Sequence, residues 1–290
     1  MHSGWRLITE LGLGVLRAHG ADAGRFLQGQ LSNDTATVRH GQLQLSGYHT
    51  PQGRAIALLR LTRLADDLLA ILPLELVPVV VARLSRFVLR AKVRITDDSA
   101  QWQILGLRGE PPPLPGSALS LPYGSSRHLL LVPQLEPAAL QRADTGTRED
   151  WVASDIAEGL PQVYLPSSEA FVAQMLNLDL LGGIALDKGC YTGQEIIARA
   201  HYRGQVKRRM QRFVSERPCA LGPADSGTLG DGRSFKVVAS VPVAEGRCEF
   251  LAVAPAAPGS EEPEAAAASA QTRIAAQQLP LPYALPFAQP

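Results

Sequence analysis

The sequence predicts an α+β protein. Short turns join several strand-like runs directly, helical periodicities fall between them, and after Gly204 short apolar runs alternate with glycine and proline turns. Direct turns favour antiparallel pairing, because a parallel pair needs a crossover of about a dozen residues.

Taken in order, residues 11–18 read as a glycine-containing strand. Asp22 is a fair N-cap for a helix whose apolar face is Ala23, Phe26, Leu27 and Leu31. Residues 41–48, 55–61 and 68–72 read as strands, with turns at Thr50-Pro51-Gln52-Gly53 and Ala65-Asp66-Asp67, giving an antiparallel meander. Leu76, Val79, Val80, Leu84, Phe87 and Val88 repeat at helical spacing and predict a helix over 75–89. Residues 92–95, 101–107 and 127–132 are candidate strands, 110–116 a proline-rich loop, and 137–142 a short helix. A helix over 149–158 carries Trp151 and stops at Gly159-Leu160-Pro161. Strand-like runs at 212–215, 235–241 and 249–253 predict a small C-terminal β-barrel, and 254–270 reads as a long loop.

Length and composition bound the function. A chain of 290 residues with 46% hydrophobic residues has room for two or three domains. Its net charge of +1 argues against a protein dominated by nucleic acid or anionic membrane binding. The three cysteines, Cys190, Cys219 and Cys248, have neither metal-ligand spacing nor a disulfide framework. A cytoplasmic setting is expected, with no secretion signal and no membrane span; the most apolar window, 68–84, is broken by Pro73, Glu75, Pro78 and Arg83.

Local chemistry is concentrated at Lys188-Gly189-Cys190-Tyr191-Thr192-Gly193-Gln194-Glu195. Thr192 and Glu195 fit a capping box opening a helix with Ile196, Ile197 and Ala200 on its apolar side. Cys190 then lies just before the helix start with Lys188 beside it, and both features favour the thiolate. Gly189 and Gly193 suit tight turns, Tyr191 packs, and Glu195 fixes the loop rather than acting as a base. His201 lies about 15 Å along the helix and is too far to pair with Cys190. Arg199, Arg203, Lys207, Arg208 and Arg209 form a basic strip, read as a solvated face except at Arg199. Gln174 and Asn177 are amides in an apolar run, suited either to the edge of a heterocycle or to local backbone caps. Cys219 and Cys248 are read as structural.

In these segments the chain resembles the YgfZ family of folate-binding proteins, related to the T-protein (aminomethyltransferase) of the glycine cleavage system. The likeness runs through Gly20-Ala21-Asp22, Phe26-Leu27-Gln28-Gly29-Gln30-Leu31-Ser32-Asn33-Asp34, Thr50-Pro51-Gln52-Gly53-Arg54, residues 174–177, Leu181-Gly182-Gly183-Ile184, the octet at 188–195, Ala198-Arg199, and Leu279-Pro280-Leu281-Pro282-Tyr283. The octet is the family's signature. The resemblance implies a three-domain ring around folate: a central domain of residues 1–45 plus 137–206, an inserted α+β domain of 46–136, and a barrel of 207–290. It implies a tetrahydrofolate cofactor contacted by Trp151, Gln174, Asn177 and Arg199, with Cys190 as the functional thiol beside Lys188. It also implies a role in assembly or repair of iron–sulfur clusters, with iron–sulfur proteins or assembly factors as partners and an indirect effect on tRNA-modifying enzymes.

Two departures matter. The T-protein's catalytic Asp falls by chain order within 52–57, where this chain has no carboxylate. An early tryptophan of some relatives is replaced at about Leu13, while Trp151 matches a later one. The expected protein is therefore a folate-binding accessory factor rather than a self-sufficient enzyme. The alternatives are an aminomethyl transferase and a protein- or RNA-docking module using the basic strip.

Overall fold

The computed structural model describes residues 6–111, 113–114, 116–134, 144–202, 206–256 and 272–286. The expected helix at 137–142, Arg203 and most of the 254–270 loop lie outside these. In chain order the elements are β1 (Arg6–Ile8), β2 (Leu13–His19), α1 (Ala23–Gln28), β3 (Gln44–His49), β4 (Ala55–Leu64), β5 (Asp67–Pro73), α2 (Val77–Ser85), β6 (Arg94–Asp97), β7 (Trp102–Arg108), β8 (Leu119–Tyr123), β9 (Arg127–Pro133), β10 (Asp144–Thr145), α3 (Arg148–Glu158), α4 (Gln194–Tyr202), β11 (Arg208–Ser215), β12 (Ser226–Leu229), β13 (Ser234–Pro242), β14 (Cys248–Pro255), β15 (Thr272–Ile274) and β16 (Ala276–Leu279).

The strands form three sheets, ordered β3-β4-β5-β2-β6, β10-β1-β7-β9-β8 and β15-β12-β13-β14-β11-β16. The first is antiparallel throughout, as the meander predicts. The second and third each carry one parallel edge pair, β1 with β10 and β12 with β15. The third curls into a nearly closed, barrel-like sheet, so the α+β class and C-terminal barrel stand.

β5 shows why the first sheet is central. Its continuous apolar run has period two, so both of its faces are buried. Leu68, Ala70 and Leu72 pack with α1 and α2 residues such as Leu27, Val80 and Leu84. Leu69 and Ile71 pack with Leu121, Leu129, Leu131 and Trp151 around the second sheet. Each such leucine or isoleucine, buried to 0–1% exposure, contributes about 1.5–3 kcal/mol. Met210, Leu251 and Val253 of the barrel join the first cluster, so that core continues into the third sheet.

Several local expectations are corrected. α2 ends at Ser85 instead of running to 89, because the amides of Phe87 and Val88 bond back to Leu84 and Ser85 in tight turns. Phe87, expected in the helical apolar repeat, and Leu89, the expected helix end, are 55% and 86% exposed. Asp22 does not cap α1; its carboxylate accepts the Lys92 backbone N–H, 2.7 Å, tying that helix to the approach to β6. The capping box expected at Thr192 occurs instead at Thr147 and Asp150, opening α3, which Gly159 closes at φ +66°.

Candidate functional site

The signature octet sits on the turn between β3 and β4. Gly193 has φ +84°, and a Cβ there would lie 2.6 Å from the Thr50 carbonyl oxygen. Opposite it, Gly53 has φ +73°, and a Cβ there would lie 3.0 Å from Ile196. Two glycines thus let the start of α4 seat directly on the Thr50–Gly53 turn. The same seating removes the expected cap. The Gln194 N–H turns back to the Tyr191 carbonyl, 3.2 Å, and the Gly193 carbonyl receives the Ile197 N–H, 3.3 Å. The exposed Glu195 carboxylate accepts from Arg199, 3.0 Å, rather than reaching back to Thr192.

Lys188 is half-buried. Its ammonium donates to the Leu31 and Asn33 carbonyls at 2.7 and 2.8 Å and lies 4.9 Å from the Tyr191 ring centroid. Burial lowers the Lys188 amine to about 8, partly offset by Asp34, and raises the buried Tyr191 phenol to about 12. The segment gripped by Lys188 is itself fixed: Ser32 Oγ donates to the Gly183 carbonyl, and Asn33 donates to the Leu45 and Gly182 carbonyls. Lys188 therefore anchors the loop to the 31–33 segment and leaves Cys190, two residues on, exposed.

Beneath this assembly lies a residue that sequence reading missed. His49 is 1% exposed, and neither ring nitrogen has a hydrogen-bond partner among the described residues. A register shift between Tyr48 and His49 leaves Ile56 of β4 without an opposite number. The imidazole lies against Gly47, whose Cβ would fall 2.1 Å from His49 Cε1, and His49 Cβ lies 3.3 Å from where a Gly193 Cβ would be. Burial holds the imidazole neutral by lowering it to about 4, against a smaller opposing pull from the Gly47 backbone, which lies too poorly aligned to count as a formed hydrogen bond. The available signal was a histidine at the end of an otherwise buried strand run.

Trp151 lies elsewhere, on α3. Its indole is 4% exposed, packs at a 31° tilt against Tyr123 with centroids 5.1 Å apart, and carries the Arg127 guanidinium 4.5 Å from its centroid. A Cβ at Gly106 would come 2.6 Å from the indole, so that glycine makes room for it. With Leu13, Arg60, Tyr123, Asp155 and Gln162, Trp151 lines a small cavity. Arg127 bridges two carboxylates there, Asp155 at 2.9 Å and Glu158 at 3.0 Å. Burial raises the Asp155 carboxyl above its ordinary range against the opposing pull of Arg127 and Arg60.

Beside it is a cavity of ≈390 Å³ lined by Glu75, Arg148, Val152, Tyr164, Val241 and their neighbours. It lies where α3, the Leu74–Leu76 turn and β13 approach one another. Arg148, Val152 and Tyr164 line both cavities. Cys190, Lys188, Gln174, Asn177 and Arg199 line neither.

The two amides take backbone partners. Gln174 Nε2 donates to the Ile197 carbonyl, 2.7 Å, while its buried Oε1 has no partner. Asn177, at φ +57°, donates to the Met210 carbonyl, 2.9 Å, and to the Tyr283 hydroxyl, 3.3 Å. The basic strip is not one helical face: Arg208 and Arg209 open β11. Arg209 is 3% exposed and paired with Asp179 at 2.8 Å, and Arg208 donates to Ser234 Oγ, 2.7 Å. Only Arg199 of the described strip residues lies on α4, and it is exposed. Among the described residues no His, Cys, Asp and Glu side chains gather into a metal-binding group of three, and no helix is long and apolar enough to cross a membrane.

No family model matches the chain. It is similar to the tRNA-modifying protein YgfZ of Edwardsiella ictaluri, 31% identical over 268 residues covering 82% of this chain and 81% of the relative. It is similar also to the protein of that name from Hamiltonella defensa, 30% identical over 238 residues covering 72% and 69% of the two chains. Among solved structures, aminomethyltransferase T of the glycine cleavage system from Bartonella henselae superposes with a TM-score of 0.66 over 88% of this chain and 79% of that one, at 15% identity. That likeness is one of fold.

Proposed function

The chain belongs to the YgfZ family, and from that premise we propose that it is a tetrahydrofolate-binding accessory protein for assembly or repair of iron–sulfur clusters, indirectly supporting tRNA-modifying enzymes. The observation that carries the folate reading is the ≈390 Å³ cavity between α3 and β13, a volume within the usual range for small-molecule sites. Its lining combines an apolar and aromatic wall with one guanidinium and the Glu75 and Glu149 carboxylates. Val152, Tyr164 and Val241 supply apolar and aromatic wall, and Arg148 supplies a guanidinium for a carboxylate. Next to it, the buried Asp155 carboxylate, held by Arg127 at 2.9 Å, lines the inner compartment, where it would meet a heterocycle's N–H edge. Trp151 forms the wall of that inner compartment, and Leu13 stands beside it where some relatives carry a second indole.

The chain's own part is to bind the folate, orient it and exclude water. Ile56 and Ala57 are 2% and 0% exposed and carry no titratable group, so the aminomethyl-transfer base of the T-protein has no counterpart there. Cys190 is the proposed functional thiol. One thiolate cannot complete a cluster site, which takes four ligands, so a client or assembly factor supplies the others. In this reading Gln174 and Asn177 hold the framework that fixes α4 and the barrel.

Calorimetric titration with 5-formyl-tetrahydrofolate tests the folate half, with Arg148→Met and Trp151→Ala as variants. Binding weakened by both variants is expected; no heat from the folded wild type refutes it. Complementation of a cluster-maintenance defect tests the thiol, with Cys190→Ala expected to fail while folding and folate affinity are unchanged.

A further inference from the structure

The two cysteines read from sequence as structural are neighbours in the barrel. Cys248 opens β14 and is buried, whereas Cys219 lies in the loop between β11 and β12 and is partly exposed. The Cys248 thiol donates to the Cys219 carbonyl, 2.7 Å, and the Cys219 N–H bonds the Gly246 carbonyl, 3.1 Å. Both side chains pack in the cluster around Phe213, Phe250 and Leu221. The Cys219 loop also continues into the cavity wall. The Ser240 hydroxyl donates to the Leu221 carbonyl, and Pro223 and Ser240 line the ≈390 Å³ cavity.

We propose that Cys219 and Cys248 are a reversible oxidation site: peroxide converts them to a disulfide that repositions the 219–223 wall of the cavity. Its effect on folate rests on the function proposed above. The chemistry balances in two steps. Peroxide oxidises the partly exposed Cys219 to a sulfenic acid, releasing water. The Cys248 sulfur then attacks the Cys219 sulfur, its proton leaves with the sulfenic hydroxyl as a second water, and the S–S bond forms. Two electrons pass from the two sulfurs to the peroxide oxygen.

The pairing also sets the order of events. Burial, then the Cys219 thiol, raise Cys248 to about 11, so Cys248 is the poorer first target. Once Cys219 is oxidised, its contribution to that rise is gone and Cys248 becomes the resolving thiol.

The test uses the full chain carrying Cys190→Ser, treated with hydrogen peroxide. Expected are loss of both remaining thiols, an intact mass lower by two hydrogens, a linked Cys219–Cys248 peptide, and reversal by dithiothreitol; Cys219→Ser blocks the linkage. Sulfinic acid at Cys219 with Cys248 still free overturns the proposal. In calorimetry the oxidised form is expected to differ in 5-formyl-tetrahydrofolate affinity on the order of tenfold from the reduced form. Equal affinities overturn the coupling to the cavity. A disulfide that forms in a protein binding no folate in either state refutes the folate reading and leaves the thiol pair standing.

Discussion

His49 makes the stability of this protein depend on acid in a calculable way. The folded imidazole titrates at about 4, and an unfolded one at about 6.5. Between these values the unfolded chain binds a proton that the folded chain refuses, so stability falls as pH drops through 6.5 and levels off below 4. The loss from this one group is about 2 kcal/mol at pH 5 and about 3 kcal/mol at pH 4 relative to pH 7. Other groups titrate over the same range, so the measurement is a difference. Urea unfolding of wild type and His49→Gln should give curves that diverge by that amount on acidification, wild type losing more. A gap between the two that stays constant from pH 7 to 4, or an NMR titration placing the native imidazole near 6.5, would refute the reasoning.

Gly193→Ala should destabilise by about 2 kcal/mol or more, from the positive φ together with the 2.6 Å approach to the Thr50 carbonyl; unfolding midpoints check it, and an unchanged midpoint means that the turn yields. Arg209→Met leaves the Asp179 carboxylate without its 2.8 Å partner, at a cost of about 3–5 kcal/mol; adding Asp179→Asn should recover part of this in a double-mutant cycle. Tyr283→Phe removes the hydroxyl's bonds to the Gly159 carbonyl, 2.7 Å, and from Asn177, 3.3 Å; a loss of about 1 kcal/mol is expected by urea unfolding.

What could be read in advance was what is written locally. The apolar run of β5 and the period and glycine stop of α3 depend on neighbouring residues, and both elements stand near their expected positions. Two kinds of feature escaped. The short strand β15 carries little apolar pattern and exists because β12, more than forty residues earlier, pairs with it. Capping at Thr192 fitted a four-residue pattern, but the pattern contains no trace of the Thr50–Gly53 turn that dictates how α4 begins. The same limit hid His49, whose isolation is a property of the packed interior, and the Cys219–Cys248 pair, separated in sequence by the two strands β12 and β13. Arg209 looked like one cation in a solvated row until β11 turned it inward onto Asp179.

The Tyr283 bonds have a consequence for biosynthesis. They connect the end of α3 at Gly159 and the 3-10 turn ending at Asn177 to a segment that follows the last barrel strand. Leu281 adds packing over the same glycine. On the ribosome, where domains fold from the N-terminal end as they emerge, both anchor points are made long before their tie. The nascent chain therefore passes through a stage in which α3 and the first two sheets are complete but the third sheet still lacks β15 and β16 and the clasp beyond them is open. That stage ends only when residues 272–283 clear the exit tunnel, so the last two barrel strands and the Leu281–Tyr283 clasp arrive together at the end of synthesis.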